Sequence, residues 1–226
     1  MLNRAGTLTP GERGVTLSWE DGPRLARIGA QARYHTPHAA SVQTLRISVT
    51  DPRTVRDSTL EARWVWRAED AGWRVHLEVH NVGDAPIFLD ALEPLRIDSA
   101  FGGALNLGAP SGLWRCARGD GAWECWSDNA AATGGFSRSG RMLLQPAVSN
   151  RSHPPALLFV THTSGGVGAP ESSSCDFRVD LSGERFERFT ALTRVDGLPL
   201  APGEAACSPS VCLVVGDDAA ELLNLR

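Results

Sequence analysis

Lysine is absent. All 22 basic residues of the 226-residue chain are arginines, standing beside 26 acidic residues for a formal net charge of −4. That absence excludes Schiff-base catalysis, a phosphate-binding P-loop lysine and a lysine general base. Abundant Ala, Gly and Arg point to GC-rich coding as its origin rather than to function. Tyrosine occurs once, as Tyr34, against seven tryptophans. Cysteine is sparse and odd in number, with Cys116, Cys125, Cys175, Cys207 and Cys212 widely scattered. Such spacing is no disulfide framework, and a reducing, cytoplasmic compartment is expected. Long apolar runs are missing too. The longest, 155–160 and 211–215, are strand-sized and far short of the roughly 20 residues of a membrane span. Residues 1–20 lack the charged start and apolar stretch of a secretory signal. The mildly acidic balance gives no electrostatic reason to bind nucleic acid.

What is present is alternation. Val15, Leu17 and Trp19 share a period of two, as do Leu45, Ile47 and Val49, then Leu60, Ala62, Trp64 and Trp66, then Trp73, Val75, Leu77 and Val79. This pattern predicts half-buried strands. Further strands are expected over 86–92, 157–163, 176–181 and 206–215, and turns at Asn81-Val82-Gly83-Asp84, Asp196-Gly197 and Pro202-Gly203. Asp217 and Asp218 read as the cap of a short C-terminal helix over Ala219 to Leu223. The expected class is all-β, a single β-sandwich domain over 1–226 closed by that helix. Residues 99–140 read as long loops, and 164–174 as a hairpin connection.

No metal or other cofactor is expected. Cys116 and Cys125 stand too far apart for paired zinc ligands, and Cys212 lies within an apolar strand. His76 and His80 share a strand face, but the sequence nominates no third ligand. There is no Gly-x-Ser-x-Gly, and the glycine-rich stretch 101–108 lacks a following helix. Paired carboxylates suited to glycoside chemistry are Glu20/Asp21, Asp90/Glu93, Glu124/Asp128 and Asp217/Asp218, each of which also reads as solvated surface. Only Glu124/Asp128 lies in the aromatic segment. There Trp114, Trp123 and Trp126 crowd a polar, glycine-rich stretch, a composition suited either to stacking on a sugar ring or to a small satellite core.

Trp123-Glu124-Cys125-Trp126-Ser127 resembles the Trp-Gln-Ser-Trp stretch in the N-terminal β-sandwich of family-36 glycoside hydrolases, the α-galactosidase-like enzymes. Residues 80–86 resemble a strand turn of that domain, residues 196–204 its late turn, and Gly216-Asp217-Asp218 with Glu221-Leu222-Leu223 its exit helix. The resemblance spans most of 73–225. It implies a β-supersandwich of the galactose mutarotase-like kind, followed in that family by a catalytic barrel carrying both catalytic aspartates. This chain ends before such a barrel. The family's active-site tryptophan corresponds to Trp126, while Glu124 and Cys125 depart from the family's glutamine and serine.

The expectation is therefore a non-catalytic sandwich domain, with Trp126, Trp123, Trp114, Glu124 and Asp128 binding a galactoside-like carbohydrate. A stand-alone carbohydrate-binding module uses the same residues. A mutarotase-like epimerase would instead employ His76, Glu78 and His80 as acid and base. Neither nucleic acid nor membrane is an expected partner, and self-association into a homo-oligomer is left open.

Overall fold

Alternating apolar side chains can be buried only if each strand lays one face on a second layer, and the chain meets that demand with two antiparallel sheets. The computed structural model describes residues 6–38, 41–47, 54–70, 72–118, 120–126, 134–147, 154–162 and 174–225. In the first sheet, β1 (Thr7–Gly11), β2 (Gly14–Ser18), β3 (Arg24–His35) and β4 (Gln43–Ile47) come from the start of the chain. In the second, β5 (Thr54–Arg56), β6 (Leu60–Glu69) and β7 (Gly72–Asn81) form a meander. Then β8 (Ile87–Asp98) and β9 (Ala104–Asn106) return to the first sheet, while β10 (Trp114–Ala117) and β11 (Trp123–Cys125) join the second.

The remaining strands cross between layers in the same way. β12 (Gly134–Ser139) belongs to the first sheet, and β13 (Arg141–Pro146) and β14 (Ala156–His162) to the second. β15 (Asp176–Ser182) and β16 (Arg185–Leu200) are in the first, and β17 (Ala205–Cys207) and β18 (Ser210–Gly216) in the second. The first sheet runs β1-β2-β3-β8-β16-β15-β12, with β4 and β9 also on β3. The second runs β11-β10-β13-β14-β18-β7-β6-β5, with β17 also on β7.

One apolar core joins the two layers. Ile28, Ala32 and Tyr34 of β3 and Leu89, Leu92 and Ile97 of β8 belong to the same buried cluster as Trp64, Leu77, Phe159 and Leu213 of the facing sheet. Trp19, Trp64 and Trp66 are buried there, and Trp73 packs against it. A smaller cluster lies on the second sheet's other side, where Leu143, Leu158 and Val214 are covered by Leu222. Leu222 belongs to α1 (Ala219–Leu223), the expected helix, capped by Asp218 Oδ1 accepting from the amides of Ala220 and Glu221.

Several expectations need correction. Residues 99–140 are not simply loops: they contribute β9, β10, β11 and β12 and 3-10 turns at Ser99–Phe101 and Ser111–Leu113. These strands are three to six residues long, too short to display a period. Asp196-Gly197 is not a chain reversal but an irregularity within β16, where both residues have positive φ and the pairing with β8 slips. The single strand expected over 206–215 is split into β17 and β18. The 164–174 connection, apart from Ser174, lies outside the described residues.

Candidate functional site

The outward face of the first sheet carries the polar residues that alternation keeps out of the core. On β3, Ala30, Ala32 and Tyr34 point inward, so Gln31 and Arg33 point outward. Gln31 sits opposite Glu93 of β8 on one side and Arg46 of β4 on the other. Further along the sheet, Arg96 lies opposite Thr190, Asp98 opposite Arg188, and Arg188 opposite Asp180.

These side chains form a network of two hydrogen-bonded groups, one around Glu93 and one around Asp180, set beside each other where Asp98 pairs with Arg188. Gln31 Nε2 donates to Glu93 Oε1 at 2.8 Å, and Arg96 Nη1 donates to Glu93 Oε2 at 3.0 Å. Arg96 Nη2 donates to Asp98 Oδ2 at 2.6 Å. Asp98 Oδ1 in turn accepts from the Ala100 amide and caps the Ser99–Phe101 turn. Asp180 accepts two hydrogen bonds from Arg188, at 3.0 and 2.9 Å. The hydrogen bond with Asp180 is the main cause of an upward shift of the Arg188 guanidinium, opposed by burial and aided by the charges of Asp180, Asp98 and Glu93. Glu93 is only 5% exposed, Gln31 6% and Asp180 7%. Carboxylates so buried require partners, and Glu93 and Asp180 have them.

Beside this network opens a cavity of about 550 Å³, within the range of small-molecule sites. Its lining includes Arg13, Arg27, Arg46 and Arg96, with Gln31 and Phe101. A bulge positions Arg27: between the pairs Leu17–Leu25 and Val15–Ile28, β3 carries one residue more than β2. Arg27 has φ of 52°, and its Nη1 approaches the Phe101 carbonyl at 3.4 Å. Gly102 makes this possible, since a Cβ there would stand 1.8 Å from Arg27 Nη1. The Arg46 guanidinium lies 4.9 Å from the centroid of the Phe101 ring, which is 57% exposed.

The residues nominated by sequence lie elsewhere and do not form one open aromatic surface. Trp114 and Trp126 are 1% and 2% exposed. Trp126 Nε1 donates to the Gly183 carbonyl at 2.7 Å and its ring meets Phe136 edge-on; Trp114 Nε1 donates to Ala109 at 3.0 Å. Both belong to the main core with their one donor satisfied, neither a sugar-stacking surface nor a small satellite cluster. Trp123 is half-buried, with the Arg115 guanidinium 4.2 Å from its ring centroid. Glu124 accepts from Arg138 Nη2 at 2.6 Å, an intramolecular partner that occupies its carboxylate. Asp128 lies outside the described residues.

The histidine cluster is likewise engaged: His76 Nε2 is 3.0 Å from Glu78 Oε1, and His80 Nε2 3.0 Å from the Gly203 carbonyl. Asp90 contacts the His35 ring at 3.1 Å. Among the described residues, no group of three or more His, Cys, Asp and Glu side chains is placed to hold a metal ion. Among them too, no helix is long and apolar enough to cross a membrane.

Of the network, sequence reasoning named Glu93 alone. The signal for the rest was polar residues at alternate positions of apolar strands, such as Gln31 between Ala30 and Ala32. Neither a family model, nor a curated protein, nor a solved structure matches the chain.

Proposed function

We propose that this chain is a non-catalytic, carbohydrate-binding β-sandwich domain of the α-galactosidase-like type, holding its sugar in the cavity on the outward face of the first sheet. The observation that carries this reading is the cavity itself, a well-sized recess in which an exposed aromatic ring and buried polar groups meet. Phe101 offers an apolar surface for a sugar ring. Gln31 Oε1 is buried and accepts no hydrogen bond among the described residues, an acceptor for which a sugar hydroxyl supplies the missing donor. The finer assignment to a galactose mutarotase-like supersandwich belongs to the same proposal. Its support is the pair of nine-stranded antiparallel sheets and the direct contact between the two turns that carried the resemblance.

The binding role is preferred to catalysis because the lining carboxylate Asp98 and its neighbour Glu93 are both committed. Both oxygens of Glu93 and both of Asp98 accept hydrogen bonds within the protein. Neither is poised as the free acid and base that sugar hydrolysis or epimerisation needs.

Titration of the chain with galactose, followed by NMR chemical shifts, tests the reading. Shifts gathered on β3, β4 and the Ser99–Phe101 turn, and lost in Phe101→Ala, are expected. Shifts gathered at Trp123, or unchanged by Phe101→Ala, would move the site away from this cavity.

A further inference from the structure

We infer that the ligand of this cavity carries a negative group, a carboxylate or a phosphate ester on the saccharide, held by Arg13, Arg27 and Arg46. The inference rests on the sugar-binding reading and narrows it to acidic sugars.

Several arginines of this sheet are already neutralised, while Arg24, Arg185 and Arg194 form no ion pair among the described residues and lie outside the cavity lining. Arg96 bridges Glu93 and Asp98, Arg178 and Arg188 both hold Asp180, and Arg33 lies 3.8 Å from Glu93. Arg13, Arg27 and Arg46 differ. Among the described residues none of them forms an ion pair, yet all three line one recess. The one carboxylate in the lining, Asp98, is already claimed by Arg96. Three unpaired cations converging on one space leave an excess of positive charge that a neutral sugar does not use.

The chain also accepts local strain to place one of them. Arg27 holds a left-handed φ of 52° at the β3 bulge, a conformation that is costly for a residue with a side chain. The bulge projects that guanidinium outward, and Gly102, with no Cβ, leaves it room. Arg46 is set by its place over Phe101. Guanidinium groups match carboxylate and phosphate oxygens in pairs, with charge-assisted hydrogen bonds stronger than neutral ones. The sugar ring would then lie by Phe101, its hydroxyl toward Gln31 and its anionic group among the three arginines.

Calorimetric titration of the whole chain tests this with three probes: galactose, galacturonate and galactose 6-phosphate. At low ionic strength at least one acidic probe should bind about tenfold or more tightly than galactose, a difference of about 1.4 kcal/mol. That advantage should shrink at about 0.15 M salt. Arg13→Gln with Arg46→Gln, both at exposed positions, should abolish it while leaving the melting temperature unchanged. Which acidic probe gains identifies the anionic group.

Equal affinity for all three probes would overturn the inference and leave the sugar-binding reading standing. An advantage that survives the double variant, or that ignores salt, would also overturn it. Inorganic phosphate binding as tightly as the sugar phosphate would keep the anion site but remove the sugar. No binding of any probe would remove both. The salt and probe comparisons use the unaltered chain, so they decide the matter even if the double variant does not fold.

Discussion

Glu93 is held between Gln31 and Arg96: one carboxylate oxygen accepts from the amide at 2.8 Å, and the other from the guanidinium at 3.0 Å. The three residues come from two strands, and antiparallel pairing of β3 with β8 sets Gln31 and Glu93 face to face. A buried carboxylate held in this way fixes Gln31 and Arg96, both of which line the cavity. It follows that the cavity wall and the stability of the sheet are tested together.

Glu93→Ala should destabilise the protein by about 3 kcal/mol, because it leaves Arg96 without one of its partners and Gln31 without its acceptor. Urea unfolding with an unchanged slope and a lower midpoint checks this. Glu93→Gln, which keeps the shape and loses the charge, should cost less.

Trp126→Ala should cost about 3–5 kcal/mol, the penalty for emptying a large core site. Trp123→Ala should cost less, about 1–2 kcal/mol, since it removes a half-buried ring at the edge of the smaller apolar cluster and its contact with Arg115. Thermal unfolding of the two variants side by side measures the contrast. Near-equal losses would mean that the two rings do not divide into core and surface.

Asn81 is fully buried and donates to the carbonyls of Ala85 and Leu200, both at 2.9 Å, while its Oδ1 accepts from the Gly83 amide at 3.0 Å. Its own amide donates to the Glu204 carbonyl, and its carbonyl accepts from Gly203. Asn81→Ala strands several of these groups and should cost about 3 kcal/mol. Urea unfolding with a lower midpoint should read out the damage, while the Gly83 amide keeps its second acceptor, the Thr59 carbonyl.

Tyr34 Oη donates to Asp57 Oδ2 at 2.7 Å. Burial foremost, then the bond to Asp57, pushes the Tyr34 phenol well above its ordinary value. Asp57 is pulled below the ordinary carboxyl value: burial acts to raise it, but hydrogen bonds from the Leu60 and Thr59 amides and from Tyr34 outweigh that. A raised phenol means that the folded state binds more protons than the unfolded one, so stability falls as pH climbs above about 10. A lowered carboxyl works the other way, and its contribution disappears as pH falls below about 4. Unfolding across this range should show both slopes, and Tyr34→Phe should remove the alkaline one.

Burial raises the thiols of Cys116, to about 12, and Cys175, to about 11; hydrogen bonds from Thr193 and Thr161 oppose the second. Neither should react with a thiol reagent at neutral pH until the protein unfolds. Cys125, Cys207 and Cys212 are half-buried and should react first. Counting fast and slow thiols with and without denaturant checks the order.

How much of this was legible beforehand differs from element to element. Period-two runs such as Trp64 to Trp66 and Trp73 to Val79 determined strands, because a half-buried strand must alternate whatever its neighbours are. Asp218 determined the helix start for an equally local reason, its carboxylate capping the next amides. The turn at Asn81 was readable too, although its partnership with 200–204 was not.

The binding site was another matter. Tryptophan-rich composition drew attention to Trp114, Trp123 and Trp126, but composition says nothing about which face of a three- or four-residue strand is covered. Packing against Phe136 and Phe186 decided that two of the rings lie inside. Arg13, Arg27 and Arg46, more than thirty residues apart at their extremes, line one cavity only because the strand after Arg13, β2, and the strand bearing Arg46, β4, both pair with β3. Sequence by itself determined an all-β chain of alternating strands with one short helix, since those features depend on near neighbours. Tertiary structure alone decided where charge gathers, since that depends on which strands pair and in what register.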